Sequence, residues 1–168
     1  MSVKKDLLSI LEANREQDLS GEELAGKLGV SRTSIWKAIK ALKTEGYQIE
    51  AVNNRGYRLL EMTDVLSEEG IRLELDDRCR NFPIKVFKTI DSTNVEAKRI
   101  ALENGIHGTI LLAEEQTKGK GRLGRSFYSP ANTGIYMSIL LKPELAGSDA
   151  ILITTAASVA VCRGIRNV

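Results

Sequence analysis

The sequence predicts an α+β protein made of two units. Three observations carry this expectation. Residues 4–45 contain three short stretches with apolar side chains at helical spacing, each introduced by polar residues. Residues 47–60 read as strand, turn, strand. Beyond residue 64, strands and helices alternate, as a mixed sheet covered by helices requires. The units are expected to span residues 1–63 and 64–168, joined near residues 61–66.

The first helix is expected over residues 4–14, where Leu7, Leu8, Ile10 and Leu11 share a face. Ser20 caps the second, with Glu22 and Glu23 in its first turn, where the helix dipole favours acids. Leu24, Ala25 and Leu28 give it an apolar side, and Gly29 ends it. Ser31 caps the third, which runs to about Glu45 with Ile35, Ile39 and Leu42 facing inward. This is a helix-turn-helix pattern. Tyr47–Val52 and Tyr57–Leu60 then flank Asn53-Asn54-Arg55-Gly56, a hairpin whose Asn and Gly suit the turn. Together they predict a winged helix.

Arg32, Thr33, Ser34 and Lys37 fall at the exposed N-terminal side of the third helix, where side chains reach base edges and phosphates. Between Val30 and Leu60 there are six cations (Arg32, Lys37, Lys40, Lys43, Arg55, Arg58) against Glu45 and Glu50. These residues are candidates for DNA binding, with Arg55 at the hairpin tip against the backbone. A winged helix used only for protein contacts is the competing reading. Trp36 is expected to pack, because tryptophan mostly serves cores.

In the second unit, Ser67 caps a short helix reaching about Leu73, and residues 76–80 form a charged, solvated loop. A strand over residues 84–89 leads into Asp91-Ser92-Thr93-Asn94, which opens a helix; Thr93 and Glu96 have the spacing of a capping box. Ala97, Ile100 and Ala101 supply its apolar face, and Asn104-Gly105 ends it. Residues 109–113 form a continuous apolar strand that delivers Gln116 to the next segment, and residues 134–141 form another. Ser148 or Asp149 caps a last helix, with Ile151, Leu152, Thr155, Ala156 and Val159 at packing positions.

Composition bounds what these units can be. A hydrophobic fraction of 42% and a charged fraction of 27% are those of an ordinary globular protein. A net charge of +2 implies no partner by itself, so only local clusters are informative. The start of the chain lacks a signal-peptide pattern and no stretch is apolar enough for a bilayer, so a cytoplasmic protein without membrane contact is expected. Cys79 and Cys162 are isolated and His107 is the lone histidine, which excludes multi-histidine metal sites. No resident metal site is expected.

The chemistry concentrates in Gln116-Thr117-Lys118-Gly119-Lys120-Gly121-Arg122-Leu123-Gly124-Arg125. Residues 118–125 hold three glycines, four cations and no acid. Such a loop orders over an anion, most simply a phosphate. Gly119-x-Gly121-x-x-Gly124 matches the dinucleotide spacing, but Phe127-Tyr128-Ser129-Pro130 breaks the helix that fingerprint needs. Gly119-Lys120 is followed by Gly121, not by the Ser or Thr of a Walker loop. A kinase loop would need a Val-Ala-Ile-Lys strand, which is absent. By composition alone, a basic surface loop stays as open as a phosphate site.

The loop, continued by Phe127-Tyr128-Ser129-Pro130, resembles the adenylate loop of biotin protein ligases, and Asp91-Ser92-Thr93-Asn94 resembles that family's biotin motif. The resemblance covers essentially all of the chain, as about the first half of a winged-helix ligase that doubles as a biotin operon repressor. It implies that biotin is activated with ATP to biotinyl-AMP and passed to a lysine of a biotin carboxyl carrier protein. It implies Ser92, Thr93, Asn94, Gln116, Gly119, Lys120, Gly121 and Arg122 for biotin, and Gly119, Lys120, Gly121, Arg122, Gly124 and Arg125 for ATP and the adenylate. Lys120 and Arg122 would be the catalytic cations, and Mg²⁺ would enter with ATP. Operator DNA and a homodimer formed on adenylate loading are the implied partners. The family has Arg at the position of Lys120 and Trp at that of Phe127. It also has a Lys-Trp-Pro-Asn-Asp segment, bearing a catalytic lysine, expected beyond Val168 together with a small barrel. The alternative is a non-catalytic, biotin-responsive DNA-binding regulator. A lipoate-attaching relative shares the fold of the second unit but lacks this loop and the winged helix.

Overall fold

A computed structural model describes residues 2–144 and 149–167. Helices α1 (Val3–Glu12), α2 (Gly21–Leu28) and α3 (Arg32–Thr44) form the first unit with strands β1 (Ile49–Val52) and β2 (Gly56–Leu59). Leu7, Leu11, Leu24, Ile35, Leu42 and Leu59 are fully enclosed and form its core. The serine caps form: Ser20 Oγ accepts from Glu22 N, and Ser31 Oγ from Ser34 N. Each cap satisfies one backbone donor that the first helical turn leaves free.

β1 and β2 pair antiparallel, with Ile49 opposite Leu59. Leu19 adds a short third rung, exchanging backbone hydrogen bonds of 2.8 and 2.9 Å with Tyr57. That rung explains Gly56: its φ is +110°, and a Cβ there would lie 2.0 Å from the Leu19 carbonyl oxygen. Trp36 departs from expectation. The inward face of α3 is filled by Ile35, Ala38, Ile39 and Leu42, and the indole is left 52% exposed.

Helix α4 (Glu68–Glu74), placed with the second unit from sequence, packs against α1 as well as against strand β3 (Ile84–Phe87). Ser67 caps it by accepting from Gly70 N at 3.0 Å, and its hydroxyl donates to Glu12 Oε1 at 3.3 Å. Glu12 is itself buried and paired with Arg15 at 2.8 Å; Arg15 also donates to the carbonyl of Glu61. Lys5 reaches Glu68 at 3.3 Å. The units therefore meet through a buried polar seam.

β3 pairs parallel with β4 (Thr109–Ala113), and β4 antiparallel with β5 (Tyr136–Leu140). Helix α5 (Thr93–Leu102) makes the crossover between the parallel strands and lies on β4 and β5. The expected capping box does not form. Ser92 is the N-cap residue and makes no side-chain cap bond, Thr93 is already helical, and Glu96 pairs with Arg99 at 3.0 Å. Ala101, expected on the packed side of α5, is exposed.

Helix α6 (Ala150–Arg166) forms as expected, but Ile151, Leu152, Thr155, Ala156 and Val159 are exposed, not packed. Among the described residues nothing lies on that face. Of the two expected caps, Ser148 lies outside the described residues, and Asp149 makes no side-chain cap bond. No helix of the described residues is long and apolar enough to cross a membrane.

Candidate functional site

The second unit brings two sequence-distant segments together at one end of its sheet. β4 ends at Ala113 and runs on to Gln116, while the turn after β3 brings Ile90 and Asp91 alongside. Thr117 N and Lys118 N donate to the carbonyls of Ile90 and Asp91 at 2.9 and 2.8 Å. The root of the glycine loop is thereby fastened to the start of α5.

The loop itself is an arch. Gln116 N donates to Ser129 O at 2.9 Å, Phe127 N to Gly119 O at 2.9 Å, and Gly121 N to Arg125 O at 2.8 Å. A single 3₁₀ turn over Arg122–Gly124 forms its tip, with Leu123 at φ +56° and Gly124 at +75°. The arms are so close at Gly119 that a Cβ would stand 2.3 Å from the Phe127 carbonyl oxygen. Glycine is required there by contact, not by its own dihedral angles.

Beneath the arch runs a chain of polar side chains. Ser138 Oγ lies 2.9 Å from both Thr93 Oγ1 and Asn94 Oδ1 and donates its one proton to either. Thr93 N and Oγ1 both donate to Gln116 Oε1, at 2.8 and 3.0 Å. Gln116 Nε2 donates to Ser129 Oγ at 3.0 Å, and Ser129 Oγ donates to the Phe127 carbonyl at 3.1 Å. Ser129 and Ser138 escaped sequence reasoning. The available signal for Ser138 was a lone serine on the inward parity of an otherwise apolar strand; Ser129 offered none beyond its neighbouring proline.

Thr93, Asn94 and Gln116 share a cleft of about 870 Å³ with Lys120, Gly121, Arg122 and Arg125. Tyr136 and Met137 of β5 and Phe127 supply apolar wall. Ser92 does not line it: the residue is 1% exposed, and its hydroxyl is a buried polar atom without a hydrogen-bond partner. Gly119 lines a smaller hollow on the other side of the arch, with Lys118. Gly124 sits at the exposed tip.

Charge is arranged unevenly. Lys118, Lys120, Arg122 and Arg125 are exposed and make no ion pair among the described residues. Asp91, by contrast, is held below the usual carboxylate range by the Arg99 guanidinium, 2.6 Å away, and by the Ser92 N–H. Asp91 is thus neutralised by its own partner, and the loop keeps three cations, Lys120, Arg122 and Arg125, along a cleft with polar hydrogen-bonding walls.

The first unit has a second cluster of free cations. Arg32, Lys37, Lys40 and Lys43 of α3 are exposed and make no ion pair among the described residues. Thr33 is exposed beside them, whereas Ser34 is drawn into the cap, its hydroxyl 2.9 Å from that of Ser31. Arg55 stands at the hairpin tip, 70% exposed, within 3.5 Å of Asp18; Asp18 also holds Arg58 at 2.7 Å.

A helix-turn-helix head followed by a cation-rimmed cleft on a mixed sheet defines the class, and the family comparisons agree. Residues 3–58 match an HTH domain, and residues 86–168 match the biotin/lipoate A/B protein ligase family. More particularly, the chain is 36% identical over 164 residues to the bifunctional ligase/repressor BirA of Bacillus spizizenii, covering 98% of this chain and 50% of that protein. It is 35% identical to the protein of the same name from Bacillus subtilis with the same coverage. For that of Salmonella typhimurium the identity is 35% over 133 residues, 79% of this chain and 40% of the relative. The chain thus spans about half the length of the curated relatives it matches. A solved biotin protein ligase from Aquifex aeolicus, in complex with biotin and ATP, is 42% identical over 37% of this chain and 25% of its own, with a TM-score of 0.31.

Proposed function

We propose that this chain belongs to a biotin protein ligase that is also a biotin-dependent transcriptional repressor, and that it supplies the biotin cleft, the adenylate loop and the DNA-binding head. The observation that carries this is the shared cleft: Thr93, Asn94 and Gln116 line it together with Lys120, Arg122 and Arg125. Hydrogen-bonding groups that suit a urea ring stand beside unpaired cations that suit a carboxylate and a phosphate.

The chemistry follows from that juxtaposition. A carboxylate oxygen of biotin attacks the α-phosphorus of ATP, and pyrophosphate leaves. Both reactants are anions, so Lys120, Arg122 and Arg125 offset their repulsion. The arch also covers the mixed anhydride and limits attack by water. In the second step a lysine amine of the carrier protein attacks the acyl carbon, AMP departs, and the amine loses a proton. Mg²⁺ would enter with the nucleotide's phosphates.

In the same reading Arg32, Thr33 and Lys37 contact operator DNA, with Arg55 on the backbone at its edge. Ordering of the arch by adenylate would promote a homodimer and so couple the two activities. The test is calorimetry of the chain with a non-hydrolysable biotinyl-adenylate analogue, and displacement of labelled biotin by excess lipoate. Binding of the analogue, with biotin unmoved by lipoate, is the expected result. Displacement by lipoate, or no heat with the analogue, overturns the reading.

A further inference from the structure

The exposed indole of Trp36 has a place in the first unit that its packing does not explain. It lies on the outward stripe of α3 with Arg32 one turn before and Lys40 one turn after, and with Thr33 and Lys37 beside it. The core takes Ile35, Ala38, Ile39 and Leu42 from the same helix, and about half of the Trp36 surface is left open to solvent. The Lys40 ammonium stands 5.5 Å from its ring centroid, a cation–π contact that holds the indole against the helix. A large flat apolar surface is thus framed by cations that have no acidic partner among the described residues.

A surface that fits this frame must be anionic at its edges and apolar at one spot between them. The major groove of B-DNA has that pattern: phosphates border it, and the one apolar group on its floor is the C5 methyl of thymine. We infer that Trp36 is a specificity-determining residue that packs on a thymine methyl, while Arg32, Lys37 and Lys40 take the flanking phosphates. The inference rests on the DNA-binding reading above and goes beyond it by fixing one base identity. A protein partner would offer acids for the cations, but no feature of the stripe calls for one.

The experiment uses the whole chain and duplexes selected for binding to it from a randomised pool. Each thymine of a selected duplex is replaced in turn by deoxyuridine, which removes the C5 methyl alone. At one position, or at that position and its symmetry mate, affinity should fall about fourfold per site, the transfer free energy of one buried methyl. Trp36→Ala should bind less tightly and be indifferent to that replacement. Trp36 is the chain's single tryptophan, so acrylamide quenching of its emission should drop on binding without ambiguity.

If every deoxyuridine duplex binds as the parent does, or if Trp36→Ala keeps the fourfold loss, the inference is overturned while DNA binding stands. If Trp36 stays fully quenchable in the complex, it is likewise overturned. Failure to select any duplex sinks the inference and the DNA-binding reading together. The deoxyuridine arm alters only the DNA, so a folding defect in the variant cannot imitate it. Should Trp36→Ala bind nothing, Trp36→Gln, which lacks the apolar face, takes its place, and a loss as large as the parent's would overturn the inference.

Discussion

Gln116 Oε1 accepts two hydrogen bonds from a single residue: the Thr93 backbone N–H at 2.8 Å and the Thr93 hydroxyl at 3.0 Å. One amide oxygen thus satisfies a free donor of the first turn of α5 and fixes the threonine rotamer that faces the cleft. The other end of the amide goes to Ser129. Gln116 is therefore a tie between the start of α5 and the returning arm of the arch.

Replacing Gln116 by leucine keeps the volume and removes both ends of the tie. Thr93 N, Thr93 Oγ1 and Ser129 Oγ lose a partner in a place largely shielded from water. Unfolding free energy should fall by about 1–3 kcal/mol, the cost of leaving buried polar groups unsatisfied. Urea unfolding measures this, and biotin titration should show weaker binding in the same variant. Unchanged stability would mean that water replaces the amide without loss.

Two glycines of the loop should answer alanine differently. At Gly119 the new Cβ would meet the Phe127 carbonyl at 2.3 Å and the Ser129 hydroxyl at 2.7 Å, so the arms must part. At Gly124 nothing lies within 4 Å, and the only cost is holding alanine at φ +75°, about 1 kcal/mol. Amide exchange at Phe127, whose N–H is bonded to Gly119 O, should speed up in Gly119→Ala and change little in Gly124→Ala. Equal exchange in the two variants would show that the arch is already open in solution.

The seam between the units should give the chain an alkaline limit. Tyr47 is 6% exposed, and burial pushes its phenol up to about 12 from 10.0. A hydrogen bond with Ser67 opposes that shift, and the charges of Glu12, Glu69 and Glu45 add to it. The neutral phenol is the form the fold accepts, so this contribution is complete below about pH 10 and is lost as pH rises toward 12. The loss should approach roughly 2 kcal/mol, and Tyr47→Phe should abolish the dependence in that window. Urea unfolding at several alkaline pH values compares the two. A parallel decline in Tyr47→Phe would assign it to other groups.

How legible all this was depends on what each residue answers to. Ser20, Ser31 and Ser67 cap through their own hydroxyls onto nearby backbone, a local interaction that sequence spacing reveals. Thr93 has the same spacing, but its hydroxyl goes to Gln116, 23 residues on, which no local rule foresees. Trp36 was misplaced because the rule that tryptophan seeks cores ignores whether the core face is already full. The apolar positions of α6 follow a packing pattern, yet no described residue covers them. The cleft was readable as motifs, whereas Ser129 and Ser138, which hold it together, speak only through contacts across the sheet.

The two clusters of unpaired cations should be separable by substitution. Arg32 and Arg122 are both exposed and make no ion pair among the described residues, so truncating either should change stability by less than about 0.5 kcal/mol. Arg32→Ala should weaken duplex binding and lower the slope of log affinity against log salt by about 1, because one phosphate contact is lost. It should leave binding of the biotinyl-adenylate analogue as it was. Arg122→Ala should do the reverse, weakening the analogue by about 1.5–3 kcal/mol, the range for hydrogen bonds to charged groups, while DNA binding measured without the analogue stays unchanged. Once the analogue is present the variants should converge if loop ordering drives DNA binding, since Arg122→Ala then loses duplex affinity through its weaker loading. Saturating analogue should restore that affinity to Arg122→Ala and not to Arg32→Ala. If saturation fails to rescue Arg122→Ala, the arginine acts on DNA or on a subunit contact directly, and the loop's role must be moved from the adenylate to that surface.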